Sequence, residues 1–491
     1  MSADQRLKDA LRLIIEDRDG KDPGPGNERW FGTTAVHPYN WEELGYAEYF
    51  YRRDTMLVRT EDVELVLGAL REEPLGRGKE DPEGPIIPEE VAIDRLPVVE
   101  GVTGLVWRYG RNPRSVEAGR PGVFGGREFP GEPNGRYDDS DPLSTPVVLD
   151  RLDRSIGEGV ARPCAALPLN GNGHPCPASE PAEVPSSSVT PIPPISSGIC
   201  CGKHGWDGRG VLVGVVDGGL VEATTHQWPW MEGVYGDPDP AALPGHPIGA
   251  YSCHGTFVAG CVRTTAPQAE VCVKRAKEID WRLYGGMAYE YEIVQRMSDL
   301  LDLGADIIVC EFDGATRHHL PLHTFDAFYR NRLRHLNVTV LAPAGNDETH
   351  LPTFPAAYTW TVGVGALTAD GNSRAHFSNY GHWVDVYAPG EDLVNAFGTG
   401  KYKCEESPYE ERTFAGLANW SGTSFSTPLV AGMIAARMSG TGENAPQATE
   451  AVLRFARSQA APGIGPVLQP HQICGACHQP CQHSCGCSCG H

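Results

Sequence analysis

Short apolar runs alternate with amphipathic stretches between residues 208 and 460. Residues 211–216 are continuously apolar and end in Asp217, as expected of a buried parallel strand that leads into a turn. Further strands are predicted at 269–275, 305–312, 337–346 and 359–366. Helical periodicity is predicted from Cys253 onward, near 289–303, near 321–335 and after Ser424. This alternation is typical of an α/β domain with a mostly parallel sheet and flanking helices.

A shorter β–α–β pattern lies within residues 46–108. A strand-like run precedes Thr60, which together with two acidic residues provides a helix N-cap and an acidic first turn. The apolar residues that follow at helical spacing on one face are Val63, Val66, Leu67 and Leu70. Residues 101–109 are predicted to return as a second strand. We therefore expect a small accessory α/β domain within residues 1–150.

Residues 151–207 are predicted to be a linker between this region and the larger domain. Proline, serine and glycine dominate the stretch, and hydrophobic periodicity is lost, which is typical of a semi-extended connection. The whole chain of 491 residues contains 58 glycines and 41 prolines, roughly a fifth of the total, which agrees with long irregular stretches.

Residues 461–491 are predicted to be a tail, because they carry few side chains that could form a core. The last 18 residues of the tail hold six cysteines and three histidines: Cys474, Cys477, Cys481, Cys485, Cys487, Cys489, His478, His483 and His491. This density suits a soft divalent ion or copper. The spacing does not match the paired CxxC pattern of a structural zinc module. A metal-binding tail and an unstructured tail that oxidises on handling both remain open.

The charge and the cysteine usage narrow the class of protein. With 63 acidic and 41 basic residues the net charge is −22, so a nucleic acid is not expected as the main partner. No stretch approaches the roughly 18 apolar residues that a membrane span needs. The first 20 residues resemble an amphipathic helix rather than a secretory signal. An odd count of 15 cysteines argues against a secreted disulfide framework, and we expect a cytoplasmic location.

Three polar residues stand at the ends of predicted elements in the α/β domain. Asp217 follows a buried strand, at the sheet edge where such domains place their active sites. His254 opens a helix among glycine and other small residues. Ser424 follows Gly422 at the start of another helix, where free backbone N–H groups point towards a bound group. We therefore hypothesise that this Asp, His and Ser form a catalytic triad in which the Ser is the nucleophile.

The segments around these residues resemble the signature segments of the subtilisin-like serine proteases. They read VGVVDGG, HGTFVAG, APAGND and GTSFSTPLVAG, in the order of that family and at comparable spacing. The resemblance extends to FPAAYTWTVGVGAL, RAHFSNYG and VDVYAPG, and so covers about 208–460. It implies a subtilisin-like α/β fold and a serine endopeptidase that acts on polypeptides and needs no cofactor for catalysis.

The resemblance also implies a role for each matched residue. Ser424 would attack the scissile carbonyl, and His254 would take its proton and later protonate the leaving amine. Asp217 would orient the imidazole and stabilise its cation. Asn346, in the APAGND segment, would donate its side-chain amide to the oxyanion together with the Ser424 backbone N–H.

The sequence departs from the family pattern at two places. Gly218 follows Asp217 where the family usually has Ser or Thr. Residues 309–314, VCEFDG, align with a strand that usually reads Ser-Leu-Gly and lines the substrate channel. Two carboxylates there would favour basic side chains in the substrate, unless Glu311 points away from the channel or the register is off by one. The substrate-binding candidates are Tyr284, Gly285 and Gly286, as an edge for backbone pairing, and Glu311, Phe312 and Asp313.

The role of the N-terminal region has two readings. The family often carries a small pro-domain that assists folding and blocks the cleft, so residues 1–150 are a candidate intramolecular inhibitor; a docking or regulatory domain is the alternative. Calcium stabilises many members of the family, but no set of ligands in this sequence is convincing, and the metal content is unknown. The competing hypothesis for the whole chain is a non-enzymatic binding protein that uses the fold or the tail to hold a partner.

Overall fold

The computed structural model describes residues 32–33, 49–71, 85–89, 91–107, 143, 145–169, 178–184, 206–239, 242, 247–249, 251–276, 287–404 and 410–470. The chain divides into two compact units. The first comprises Met1–Leu167 together with Tyr289–Val294 and Thr316–Arg334, and the second comprises Pro168–Ala288, Gln295–Ala315 and His335–His491. The range predicted as one large domain, 208–460, therefore contributes two segments to the first unit.

The strands and helices of the described residues are as follows. The strands are β1 Gly32–Thr33, β2 Phe50–Arg59, β3 Ile93–Val99, β4 Val102–Trp107, β5 Ala161–Pro168, β6 Leu212–Asp217, β7 Val234–Gly236, β8 Glu270–Arg275, β9 Met287–Tyr289, β10 Ile307–Cys310, β11 Thr339–Pro343, β12 Thr361–Leu367, β13 Val386–Pro389, β14 Leu393–Lys403 and β15 Glu411–Trp420. The α-helices are α1 Val63–Arg71, α2 Thr145–Ile156, α3 Glu222–Gln227, α4 His254–Thr265, α5 Glu290–Asp302, α6 His323–Phe328, α7 Thr423–Thr441 and α8 Ala445–Ser458. Single turns of other helical types lie at Thr60–Asp62, Pro229–Met231, Arg317–His319 and Tyr329–Leu333.

The first unit contains strands in the order β3-β4-β2-β5, with β1 on β2. The predicted strand before Thr60 and the helix after it are present as β2 and α1, whose apolar face packs against α2. The predicted single return strand is instead a hairpin of β3 and β4, joined at Gly101 with φ +87°. So short a connection can only join antiparallel strands, and both β2–β4 and β3–β4 are antiparallel.

The prediction of a linker over 151–207 is wrong for its first part. Helix α2 continues to Ile156, and β5 is buried along nearly its whole length. The apolar residues that anchor α2 (Val148, Leu149 and Leu152) begin before residue 151, so the composition of the following stretch hid their periodicity. Residues 178–184 pair with β15, as described below, while 170–177 and 185–205 lie outside the described residues.

The second unit is built on a parallel sheet in the order β13-β12-β11-β10-β6-β8-β7. Each neighbouring pair in this order is parallel, which confirms the mostly parallel sheet expected from the continuous apolar runs. Helices α4 and α7 pack in the core with these strands. Because all strands run the same way, the residues that follow β6, β10 and β11 gather at one edge of the sheet.

The prediction of a tail from residue 461 is wrong for its first ten residues. Val467 and Leu468 are buried, and the backbone of this segment bonds on both sides of Tyr387, whose N–H donates to Pro466 and whose carbonyl accepts from Leu468. The cysteines and histidines of the predicted metal-binding tail fall in 471–491, outside the described residues. Within the described part of the chain, no helix combines the length and the apolar character that crossing a membrane requires.

Candidate active site

Asp217 and His254 meet at the carboxyl edge of the parallel sheet. Asp217 is the last residue of β6 and His254 the first of α4. His254 Nδ1 lies 2.8 Å from Asp217 Oδ2, and both side chains are fully buried. Gly255 permits this approach, since a Cβ there would lie 2.4 Å from the Gly219 carbonyl oxygen and 3.1 Å from Asp217 Oδ1. The hydrogen bond leaves the other imidazole nitrogen, Nε2, to act on a reacting group.

The His254 ring is held between aromatic side chains. Its centroid lies 5.6 Å from the Trp420 ring, in an edge-on arrangement, and 5.3 Å from the Phe425 ring. Among the described residues, Nε2 of His254 is buried and has no hydrogen-bonding partner. A buried imidazole nitrogen without a partner is a group whose hydrogen-bonding capacity is reserved for another molecule or for a conformational change.

The turn before His254 depends on an acid that the sequence analysis missed. Cys253 adopts a left-handed conformation with φ 68°, and its N–H donates to Asp239 Oδ2 at 2.7 Å. Such a conformation is costly for a residue with a Cβ, so the hydrogen bond helps to fix it. Burial raises the pKa of the Cys253 thiol well above its usual value, which makes it an unreactive small side chain despite its place beside His254.

Asn346 and the start of α7 are joined through Thr423. Asn346 Oδ1 accepts hydrogen bonds from Thr423 N at 2.9 Å and from Thr423 Oγ1 at 3.0 Å. Ser424, the next residue, is fully buried in the first turn of α7. Asn346 Nδ2 is also buried and has no hydrogen-bonding partner among the described residues. The amide is therefore fixed through its oxygen, and its two N–H groups remain available as donors near Ser424.

The loop that carries Asn346 is supported by Asn379, which the sequence analysis did not single out. Asn379 Oδ1 accepts from the N–H groups of Asp347 and Thr349 at 3.0 and 3.1 Å. Its Nδ2 donates to the Ala344 carbonyl at 2.8 Å. Gly345 has φ +97°, and a Cβ there would lie 2.4 Å from Asn379 Nδ2. The signal was present in the segment RAHFSNYG, but a buried Asn is recognisable as a support only once the loop it holds is known.

Glu311, Phe312 and Asp313 follow β10 and are all fully buried. The Glu311 N–H donates to the Val216 carbonyl at 3.1 Å, which puts Glu311 beside Asp217 on the neighbouring strand. Burial, and then the charge of Asp217, raise the pKa of Glu311 well above its usual value. Both carboxyl oxygens of Glu311 are buried and have no hydrogen-bonding partner among the described residues.

Three further candidates are placed differently. Tyr284, Gly285 and Gly286 lie outside the described residues.

For calcium, the described part of the chain offers one cluster of potential ligands, Asp150, Asp153 and His318 in the first unit. Arg317 donates to both of these carboxylates, so an arginine already supplies the positive charge that a cation would bring. These residues do not fit a calcium site.

Comparison with known proteins places the second half of the chain in a family. Residues 208–463 match the model of the Subtilase family, Peptidase_S8. An intracellular serine protease of Paenibacillus polymyxa is 28% identical over 206 residues, which cover 38% of this chain and 53% of that protein. A thermophilic serine proteinase of Bacillus sp. (strain AK1) is 31% identical over 202 residues, 39% of this chain and 43% of that protein.

The chain spans about half the length of the curated relatives it matches. Among solved structures, a lanthipeptide protease is similar over 54% of this chain and 86% of its own, with 20% identity and a TM-score of 0.43. The family match covers the parallel sheet, both helices that carry His254 and Ser424, and the loop of Asn346. This chain belongs to the subtilase family.

Proposed function

We propose that the protein is a serine endopeptidase that hydrolyses polypeptides through Asp217, His254 and Ser424. The observation that carries the proposal is the 2.8 Å contact between Asp217 and His254, with the second imidazole nitrogen buried and without a partner among the described residues. Ser424 lies in the first turn of the helix that follows, next to the residue that Asn346 binds. These are the groups that acyl transfer to a serine requires.

The proposed reaction runs in two halves. Ser424 Oγ attacks the peptide carbonyl carbon while its proton moves to His254 Nε2, which forms a tetrahedral intermediate. The C–N bond then breaks, the imidazolium gives its proton to the leaving amine, and an acyl-enzyme remains. Water, deprotonated by the same imidazole, then attacks the ester carbonyl; the bond to Ser424 Oγ breaks, the carboxylic acid product leaves, and the imidazolium returns its proton to Ser424 Oγ. Asp217 stabilises the imidazolium throughout and keeps its Nδ1 protonated.

Asn346 is the proposed oxyanion donor. Its Nδ2 has no competing partner among the described residues, and its oxygen is fixed by Thr423, so the amide does not have to reorganise when charge develops. The Ser424 backbone N–H, at the start of α7, would be the second donor. Preorganised donors of this kind contribute on the order of 10²–10³ in kcat.

We further propose a preference for basic side chains near the cleavage site. The burial and the closeness of Glu311 and Asp313 support this preference, because they place two carboxyl groups together beside the site. A bound ammonium or guanidinium group would favour their ionised forms and gain their charge. Cleavage of a peptide library decides this point: enrichment of Lys and Arg near the scissile bond supports it, and dominance of uncharged residues overturns it.

The cytoplasmic location and the inhibitory role of residues 1–150 are proposals as well. The first is supported by the similarity to a protease described as intracellular. For the second, residues 1–150 form most of one compact unit, which also takes in residues 151–167, Tyr289–Val294 and Thr316–Arg334. Faster labelling of Ser424 after cleavage of the chain within residues 185–205 would support inhibition, and an unchanged rate would favour a docking or regulatory domain.

Labelling of the purified full-length protein with a fluorophosphonate probe tests the proposed activity. The wild-type chain should be labelled, and Ser424→Ala and His254→Ala should not be. Ser458→Ala, which removes an exposed hydroxyl at the end of another helix, is the matched control and should be labelled normally. If the chain is labelled neither before nor after cleavage within residues 185–205, the hypothesis of a non-enzymatic binding protein is favoured instead.

A further inference from the structure

Trp420 joins the candidate active site to a segment that lies before the family match. Its ring is almost wholly buried and meets the His254 imidazole edge-on, with the two centroids 5.6 Å apart and the planes at 86°. The indole Nε1–H donates to the carbonyl of Ser179 at 2.6 Å. Ser179 belongs to residues 178–184, whereas the family match begins at residue 208. One side chain therefore contacts both the proposed general base and this earlier segment.

Residues 178–184 are fixed along β15 by contacts of their own. Ala182 and Asn419 exchange backbone hydrogen bonds of 2.8 and 2.9 Å. The Pro181 carbonyl accepts from Arg412 Nη1 at 2.6 Å. None of these contacts involves the indole, so they hold in place the carbonyl that the indole binds.

The hydrogen bond from the indole fixes the orientation of a ring that has no other polar atom. The remaining ring contacts of Trp420 are apolar, with the centroids of Phe257, Phe397 and Phe425 at 5.7, 5.7 and 5.1 Å. A buried indole N–H requires an acceptor, and among the described residues the Ser179 carbonyl is that acceptor. Loss of the carbonyl would therefore allow the ring to turn in search of another partner.

The orientation of the His254 ring depends on its aromatic neighbours as well as on Asp217. The contact between Nδ1 and the Asp217 carboxylate fixes one atom of the imidazole and leaves the ring free to tilt about it. Trp420 and Phe425 are the rings that limit this tilt. Proton transfer requires closely aligned atoms, so a small tilt that moves Nε2 away from Ser424 slows the reaction.

We propose that Trp420 is a positioning residue for His254, and that residues 178–184 hold it in place through the Ser179 carbonyl. The proposal rests on the proposed function. It assigns residues 178–184 to the working peptidase, whose catalytic unit then begins earlier in the chain than the family match. Separation of this segment from β15 should slow proton transfer and leave substrate binding unchanged.

The test is a double-mutant cycle on the full-length chain with Ala182→Pro and Trp420→Phe. The first removes the N–H that donates to the Asn419 carbonyl, and the second keeps an aromatic ring but removes the donor to Ser179. Each should lower kcat for peptide hydrolysis by about threefold to tenfold, the scale of one edge-on aromatic contact, with KM little changed. Because both act through the same hydrogen bond, the double variant should be no slower than the slower single variant.

Trp228→Phe is the matched control. Trp228 Nε1 also donates to a backbone carbonyl of β15, that of Gly416 at 2.8 Å, but its ring stacks on Trp230. Its kcat should equal that of the wild type. All values of kcat are expressed per site titrated with a fluorophosphonate, because a variant that only unfolds lowers the titrated fraction and keeps its kcat per site. Unchanged kcat in both single variants, or effects that multiply in the double variant, would overturn the proposal.

The NMR signal of the His254 imidazole separates this proposal from the proposed function. The signal is assigned by its loss in His254→Ala, and it is followed in chains that carry Ser424→Ala, where no activity is needed. Because aromatic rings shift nearby signals, Ala182→Pro should move it and Trp228→Phe should not. A signal that Ala182→Pro leaves in place overturns the positioning role even where the wild-type chain is labelled. A wild-type chain that is never labelled overturns the proposed function and this proposal with it.

Discussion

Ala182 and Asn419 exchange two backbone hydrogen bonds. Ala182 N donates to Asn419 O at 2.8 Å, and Asn419 N donates to Ala182 O at 2.9 Å, as in an antiparallel pair. Ser179 adds two contacts, since its carbonyl accepts from Trp420 Nε1 at 2.6 Å and its Oγ accepts from Ser421 N at 3.2 Å. A segment predicted to be linker thus extends the edge of β15, immediately before the turn that leads to Ser424.

Replacement of Ala182 by proline should release this segment. The ring removes the N–H that donates to the Asn419 carbonyl, and the loss of this half-buried hydrogen bond costs about 0.5–1.5 kcal/mol of unfolding free energy. We expect faster hydrogen exchange at the Asn419 amide and a lower Tm. Val184→Ala, in the same segment, should leave both nearly unchanged, and equal exchange rates in the proline variant would contradict the role of the pairing.

Asn346→Asp should distinguish the role of the amide oxygen from the role of the amide N–H groups. The variant keeps an oxygen acceptor for Thr423 but loses the N–H donors, so α7 remains anchored while the oxyanion loses its partner. We expect kcat for peptide hydrolysis to fall by about 10²–10³ or more, with a small change in KM. Asn372→Asp, in an exposed turn, serves as the control. An unaltered kcat would exclude Asn346 as the donor.

Gly255→Ala should disturb the contact between Asp217 and His254. The added Cβ would lie 2.4 Å from the Gly219 carbonyl oxygen, which is backbone and cannot move aside cheaply. We expect loss of fluorophosphonate labelling together with a decrease of about 1–3 kcal/mol in unfolding free energy. Chemical denaturation and labelling measure the two effects. A variant that is labelled at the wild-type rate would show that α4 can shift without loss of the pair.

Two buried groups in the first unit should give opposite pH dependences of stability. Burial raises the pKa of Glu290 to about 7, although it accepts hydrogen bonds from Ala165 and Thr324. Between its unfolded value of 4.5 and about 7, the folded state binds more protons, so this group makes stability fall as pH rises. Burial lowers the pKa of His323 from 6.5 to about 3. Between these two pH values the folded state binds fewer protons than the unfolded state, so this group makes stability rise as pH rises.

The two contributions oppose each other between about pH 4.5 and 6.5. Glu290→Gln should leave the His323 contribution unopposed, and the stability of the first unit should then rise more steeply with pH in that window. Hydrogen exchange of the amides on β2 and β5, followed at several pH values, measures the effect. His323→Gln is the reciprocal variant and should show a fall instead. Parallel profiles for both variants and the wild type would contradict the assignment.

Local sequence was sufficient to predict the parallel sheet and the elements that carry the candidate residues. A continuous apolar run predicts a strand buried on both faces, and the polar residue that ends it must lie at the sheet edge. Asp217 could therefore be assigned to that edge from its neighbours alone. The positions of His254 and Ser424 were predictable for a similar reason, because small residues beside a helix start permit close approach at that point.

Sequence alone misjudged the segments whose structure depends on distant partners. The strand β5, the segment around Ala182 and residues 461–470 lack a strong hydrophobic period, and each is ordered by backbone pairing or by burial against another part of its own unit. The first unit also includes Tyr289–Val294 and Thr316–Arg334, and sequence alone missed this for the same reason. Such contacts join residues far apart in the chain, and local composition carries little information about them.

For the candidate site as well, the sequence predicted some features and missed those that depend on contacts between distant residues. The sequence by itself determined which residue types are present: an acid, an imidazole, a hydroxyl and an amide, each at the end of an element. Only the tertiary structure decided that Glu311 lies beside Asp217, and that Thr423 fixes Asn346 through its oxygen. The physical reason is that hydrogen bonds and pKa shifts depend on distance and burial, and both are set by the order of strands in the sheet rather than by the order of residues in the chain.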